Sequence, residues 1–271
     1  MKLEKAKKAL IIILVLVLVI FINTRCSNYS ITHKYIENIR PELRPGDIII
    51  ERTDWRISNP LYPGFWKHSF IYTGTLTEMD EYFNGSKVIN GSVSEYLREK
   101  MPEVYEAYTE KYGEYEANMI ESKHLHVRIG PIEDYAQSDY LGVLRPKLSN
   151  DVKLRAILKA LSFAGKFYDL LFDYSDNSTL ACSEIVYHSY REDNNPGGLN
   201  FRLAKILWVN ALLPNDIAKC LALENDSGQC RLEFIAFLDP DTGLENTTNR
   251  SAFSESWKRP SFTIVDGTAL K

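Results

Sequence analysis

The sequence predicts an α+β fold: an antiparallel, partly barrel-like sheet with a helix packed against it whose first turn carries a cysteine. Three observations predict it. Short β-branched and aromatic runs bounded by Gly, Pro and Asp read as strands at 48–52, 68–72, 141–145 and 232–238. Stretches with apolar residues three and four apart read as helices at 150–163 and 181–190. Cys182 falls in the first turn of the second of these helices. The 271 residues, 45% hydrophobic and 25% charged, suffice for one globular domain with decorations and exclude wholesale disorder. The formal net charge is -4, with acids and bases mixed along the chain, so no basic stripe exists to track phosphate and nucleic acid is excluded as a partner.

From the N-terminus, Lys2, Lys5, Lys7 and Lys8 precede an apolar run from Ala9 to Ile22. This is the charge and length pattern of an export signal, and residues 1–25 are expected to act as signal peptide or signal anchor. The run is shorter than the roughly 20 apolar residues of an ordinary membrane span. A buried core helix is the weaker alternative. The expected location is the cell envelope, with the membrane as a partner through this segment. Cys26 follows directly, but Asn23, Thr24 and the bulky Arg25 before it argue against lipidation. Residues 26–40 form a polar spacer.

The domain then spans 41–240. Leu43 to Asp47 is a turn and Ile48 to Arg52 a buried strand. Residues 58–67, with Pro60, Pro63, Gly64 and several aromatics, read as a surface loop, which places His68 at the start of the next strand. Residues 92–116, rich in Glu, Lys and Tyr with Leu97, Met101, Val104 and Tyr108 at helical spacing, predict an inserted amphipathic helix or helix pair. Met119 to Ile129 returns to strand character, residues 131–135 begin a short helix, and Leu141 to Arg145 is a further strand. A helix over 150–163 has Asn150 or Asp151 as its cap. The cysteine helix is capped by Ser178 or Thr179 and stopped by Asn195-Pro-Gly-Gly198. A helix over 217–223, a strand over 232–238 and a polar tail over 241–271 complete the chain, with no internal repeat. Cys220 and Cys230 flank Asn225-Asp-Ser-Gly228, a segment short enough to close as a disulfide in an oxidising compartment, which would leave Cys182 free.

A cysteine at a helix N-terminus meets unsatisfied backbone N–H groups and the positive end of the helix dipole, which favour thiolate and can hold an oxyanion. Taken alone, Cys182 is equally a small buried hydrophobe and His68 more often a core histidine than a base. Their setting shifts the balance: a Gly-Asp turn, a buried strand, an aromatic loop and then His68 supply a rigid platform for an imidazole. His124 and His126 alternate as on a strand, yet a third metal ligand at sensible spacing is not apparent.

Arg44-Pro-Gly-Asp-Ile-Ile-Ile50, Lys67-His-Ser-Phe-Ile-Tyr-Thr-Gly74 and Ala181-Cys-Ser-Glu-Ile-Val-Tyr187 together resemble the circularly permuted NlpC-type papain-fold enzymes, in particular their YiiX-like subgroup. In that group the histidine strand precedes the cysteine helix, as here. Met119-Ile-Glu-Ser122 resembles the strand that carries an acid, Leu141 to Pro146 the strand ending in Arg-Pro, Lys166-Phe-Tyr-Asp169 the segment before the cysteine, and Leu213-Pro-Asn-Asp-Ile217 the turn after the cysteine helix. The resemblance covers about residues 41–238 and implies a permuted papain-like fold.

It also implies a cysteine and histidine pair with a third polar residue orienting the imidazole, for which Glu121 is the candidate and His124 and His126 are rivals. Tyr168 and Ser183 are candidates for holding the oxyanion, Asp169 is a further candidate, and Trp66 is a candidate for contacting substrate. His68 would take the thiol proton, Cys182 would attack an amide or ester carbonyl, and water would release the acyl-enzyme, with no metal or organic cofactor. The implied substrate is a cell-wall peptide or an acylated, lipid-like small molecule; the apolar loop Leu61 to Trp66 leans towards the latter. The rival readings are a lipid- or peptide-binding module on the same fold without turnover, and a structural protein of the envelope.

Overall fold

The computed structural model describes residues 30–54, 63–169, 177–206, 209–223 and 230–261. The predicted export segment and residues 58–62 of the loop before His68 lie outside them. Among the described residues no helix is long and apolar enough to cross a membrane.

The chain enters through α1 (His33–Ile39), which lays Ile36 and Ile39 on the sheet, and continues through a 3-10 turn into β1 (Asp47–Arg52). β2 (His68–Tyr72) follows, and α2 (Leu76–Tyr82) begins at Thr75, whose hydroxyl and the Glu78 carboxylate satisfy each other's backbone N–H groups. The predicted insertion is a pair of helices, α3 (Val93–Lys100) and α4 (Pro102–Thr109), followed by the small hairpin β3 (Lys111–Tyr112) and β4 (Tyr115–Glu116). Its buried stripe is Val93, Leu97, Val104 and Tyr108, at the spacing that predicts it.

β5 (Met119–Lys123) and β6 (His126–Gly130) form a second hairpin, and a 3-10 turn over Ile132–Tyr135 leads into β7 (Tyr140–Pro146). The strand character that the sequence shows over 119–129 is thus divided between two strands. The chain reverses at His124, whose φ of 61° is left-handed. No Gly or Asn marks this turn, so its composition reads as continuous strand. α5 (Asn150–Leu161) is capped by the Ser149 hydroxyl and not by Asn150 or Asp151, and α6 (Cys182–Tyr190) carries the cysteine. β8 (Ala204–Ile206) pairs with β9 (Val209–Ala211), α7 (Pro214–Ala222) begins at its proline, and β10 (Leu232–Leu238) and α8 (Arg250–Ser256) complete the order. Cys220 and Cys230 are joined as a disulfide, and Cys182 is a free thiol.

The main sheet has six strands in the order β10-β7-β1-β2-β5-β6, every neighbouring pair antiparallel. The antiparallel sheet expected from the sequence is thus present, and among the described residues it is open, with β10 and β6 at its edges and no closed barrel. Period-two alternation divides it between two cores. Ile48, Ile50, Ile71, Ile120 and Leu144 face a core shared with Ile185 and Val186 of α6 and Leu154 and Ile157 of α5. Ile49, Phe70, Met119 and Val143 face a core closed by Ile36, Ile39, Ile132 and Tyr135.

The predicted polar tail also differs. Phe253 of α8 is fully buried against Trp66, Phe234 and Phe237. It packs so closely on β7 that a Cβ at Gly142 would lie 2.5 Å from its ring. Arg259 then pairs with buried Asp239 at 2.7 Å. Phe253 and Trp257, four residues apart, are an apolar stripe within a segment whose average composition is polar.

Candidate active site

Antiparallel pairing carries the site residues to one end of the sheet. β1 ends where β2 begins, with Glu51 opposite His68, and β2 pairs with β5 through Ile71 and Ile120, so the start of β2 lies beside the end of β5. That register brings His68 next to Glu121. The Ser122 hydroxyl donates to the Leu180 carbonyl, which fastens β5 to the segment entering α6 and places Cys182 at the same end.

His68 Nε2 is 2.6 Å from Glu121 Oε2. This leaves Nδ1 as the nitrogen available to Cys182, with which the imidazole shares a hydrogen-bonding and charge interaction. All three side chains are buried. Burial alone would lower the His68 pKa, but the Cys182 sulfur and the Glu121 carboxylate outweigh it and raise the pKa to about 9. Burial would likewise raise the Glu121 pKa, yet the hydrogen bond and charge of His68, with help from Lys123 and Arg128, hold it far below the usual carboxylate range. His68 is therefore an imidazolium paired with a carboxylate at neutral pH.

Glu121 is held in turn by groups that no sequence motif singles out. Arg128 Nε donates to Oε1 at 2.8 Å, and the Tyr135 hydroxyl donates to Oε2. Tyr135 also stacks on Phe70 with ring centroids 4.4 Å apart, which fixes the phenol. Arg128 lies directly across the hairpin from Glu121, a register legible only once the turn at His124 is placed.

α6 begins without the side-chain cap expected from Ser178 or Thr179: Ala181 is the cap residue, and its backbone N–H donates to Glu184 Oε2 at 2.6 Å. Glu184 sits fully buried in the first turn of α6, two residues beyond Cys182. Its Oε1 meets no N–H or O–H donor and lies beside the Asp169 carboxyl. Two carboxyl groups bond only with a proton between them, and burial, followed by the Asp169 and Cys182 charges, raises the Glu184 pKa to about 8. Ser183 is buried at the second position of α6, in the first turn, whose backbone N–H groups are directed towards the helix N-terminus. Tyr168 is half-buried and joined through its backbone N–H to the Leu125 carbonyl at 2.8 Å.

Trp66 is a correction. Its ring is fully buried and its Nε1 donates to Ser256 Oγ at 2.9 Å, so it anchors α8 from within the core. His124 and His126 do not share a strand face, because His124 occupies the turn, and Glu121 holds the place on His68 for which they are rivals in the sequence. Among the described residues no three or more His, Cys, Asp or Glu side chains gather in an arrangement that could hold a metal ion.

Residues 42–224 of the chain match a family described as permuted papain-like amidase enzymes, YaeF/YiiX, C92 family. The chain belongs to that family. It is a cysteine peptidase or amidase by membership, with a permuted papain-like fold. Among solved structures the amidase is similar to the Escherichia coli O157:H7 protein YiiX, described as a metalloprotein, with 14% identity and a TM-score of 0.40 over 76% of this chain and 94% of that one. No curated protein matches it.

Proposed function

We propose that the amidase cleaves an amide by acyl transfer, with Cys182 as nucleophile, His68 as general base and acid, and Glu121 as the group that orients the imidazole. The observation that carries this reading is the 2.6 Å contact of His68 Nε2 with Glu121, which fixes the ring with Nδ1 left for the Cys182 thiol. The thiol proton rests on the His68 imidazolium before the bond forms, and the Cys182 sulfur beside it attacks the carbonyl carbon. The developing oxyanion meets the N–H groups of the first turn of α6. His68 then returns the proton to the leaving amine, and water, deprotonated by the same imidazole, releases the acyl group from sulfur.

The substrate we favour is an amide of the cell envelope, a wall peptide or an acylated small molecule, reached by a protein exported or anchored through residues 1–25. The charge pattern Lys2 to Lys8 ahead of the apolar run Ala9 to Ile22 supports this, as does a disulfide between Cys220 and Cys230, a bond that persists in oxidising compartments. The test is iodoacetamide labelling at neutral pH combined with turnover of wall fragments and acylated amides. Wild type should alkylate at Cys182 faster than a free cysteine and His68→Ala should lose that advantage. Equal labelling of both proteins, or turnover that survives Cys182→Ala, overturns the assignment.

A further inference from the structure

Among the described residues only Leu125, Phe167 and Leu223 are large hydrophobics with substantial exposure, and the two most exposed, Leu125 at 75% and Phe167 at 72%, belong to one feature. Leu125 occupies the turn of the β5-β6 hairpin. The segment 165–168 is stitched along that hairpin: Tyr168 N–H donates to the Leu125 carbonyl at 2.8 Å, Val127 N–H to the Lys166 carbonyl at 2.7 Å, and Phe167 bridges His126. The Phe167 carbonyl also accepts the Leu180 N–H, two residues before Cys182. The apolar tip is therefore tied through the backbone to the segment that enters the Cys182 helix. Backbone hydrogen bonds hold it in place, so its exposure is a built feature and not the excursion of a loose loop.

We propose that this tip docks on the surface of an anionic lipid bilayer and brings the Cys182 end of the sheet against the membrane. Two further observations select that occupant. The segments that build the tip, 122–127 and 165–168, carry Lys123 and Lys166 and no Asp or Glu, and Lys159 joins Lys166 over the Phe163 ring, in a chain with 36 acidic and 32 basic residues. A local positive field around protruding Leu and Phe side chains complements anionic headgroups over an apolar interior. The second is the place where the chain enters. Ile31 N–H donates to the Ser138 carbonyl at 2.9 Å, just before β7, whose Tyr140 lies opposite Arg52. The end of β1 is also the end of His68 and of the hairpin tip. Ser30, where the described chain begins after the apolar run Ala9 to Ile22 of the sequence, therefore lies at the same end as Leu125 and Phe167. An anchor in the preceding residues would meet the same surface as the tip.

The proposal stands apart from the acyl-transfer chemistry, and its test uses an inactive protein. The full chain carrying Cys26→Ser, Cys182→Ala and Leu125→Cys is labelled with an environment-sensitive fluorophore at position 125. A companion chain carries Glu42→Cys instead, an exposed position at the opposite end of the sheet. Both are mixed with vesicles of phosphatidylcholine, with and without phosphatidylglycerol. The label at 125 should shift to the blue and be quenched by brominated lipid on the anionic vesicles, less on neutral ones and less at high salt, while the label at 42 stays in water. No shift at 125, equal shifts at both positions, or equal shifts on both vesicle types would show a tether alone and overturn the proposal. Hydrogen exchange on the unlabelled wild-type chain tests the same docking without a substitution: anionic vesicles should slow peptides covering 123–126 and 165–168. Unchanged exchange there counts against docking.

Discussion

Asp47 and Glu121 are buried carboxylates on the same sheet, and each is gripped by an arginine from a neighbouring strand. Asp47 accepts from Arg145 Nε and a terminal nitrogen, both at 2.8 Å, and from the Arg44 backbone N–H at 2.8 Å. Arg145 also reaches the Glu42 carbonyl at 2.6 Å, so the pair pins the turn before β1 to β7. Each of these partners of Asp47 is a permanent donor. Glu121 has Arg128 and Tyr135 in the corresponding places, but its closest remaining partner is an imidazole that faces a thiol. Burial pushes the Asp47 pKa up against Arg145, whereas His68 pulls that of Glu121 far down. A buried carboxylate and arginine are scaffold when all donors are fixed. They become part of a reaction centre when one donor can give its proton away.

The sharpest way to break this comparison is to substitute at both ends. Cys182→Ala should lower turnover by roughly 10⁴-fold or more, as for other nucleophiles in coupled catalytic groups, while leaving the melting temperature near that of wild type. Glu121→Gln, which keeps the shape but not the charge, should lower turnover by up to roughly 10⁴-fold through a misassigned imidazole tautomer. Asp47→Asn should do the reverse. It leaves Arg145 partly buried and poorly paired, which costs about 3 kcal/mol of stability, while turnover per folded molecule stays within a few-fold of wild type. Denaturant melts and single-turnover rates separate the two outcomes, and an Asp47→Asn protein that folds well yet turns over as slowly as Glu121→Gln would end the distinction.

A smaller effect tests the middle of the network. Tyr135→Phe removes one hydrogen bond to an ionised carboxylate, of about 1.5–3 kcal/mol. The stacking on Phe70 is retained. Turnover should fall roughly 10- to 100-fold, mostly in kcat, with KM little changed, because the phenol acts through Glu121 and touches no substrate. A KM effect of that size with kcat intact would place Tyr135 in the substrate cleft instead.

The elements legible in the sequence are those whose signals are local. Cys182 and His68 stand at the edges of elements with clear flanks, and Glu121 lies in a β-branched and apolar context that reads as strand. What surrounds them depends on register, and register depends on turns. His124 reverses the chain in a left-handed conformation without a glycine, so the pairing of Glu121 with Arg128 has no local signal. Tyr135 sits in a short helix whose docking depends on the second core. Trp66 misleads because aromatic residues beside Pro and Gly read as surface loop, whereas α8, hidden in a polar tail, folds back to bury it. Whether a sheet closes is set by its edges and twist, which no single strand encodes.

Glu184 reads in the sequence as one more charge on a helix, and in the fold it shares its buried site with Asp169 and Cys182. Its pKa of about 8 makes it a neutral acid at pH 7, so no negative charge opposes the thiolate in the same helical turn. As pH rises through about 8 that charge forms, and turnover should begin to fall before His68 loses its proton at about 9. Glu184→Gln keeps an acceptor for the Ala181 N–H and stays neutral at every pH. Its alkaline limb should move from about 8 to about 9, with the maximal rate changed only a few-fold. Stability follows the same sign. A group whose folded pKa is raised contributes stability that is present below its unfolded value and is lost as pH rises through the folded one. The wild type should therefore lose stability between the ordinary carboxylate range and pH 8 more steeply than Glu184→Gln. A variant whose alkaline limb and stability slope both coincide with wild type would make Glu184 a simple helix cap, no different in kind from the Ser149 that starts α5.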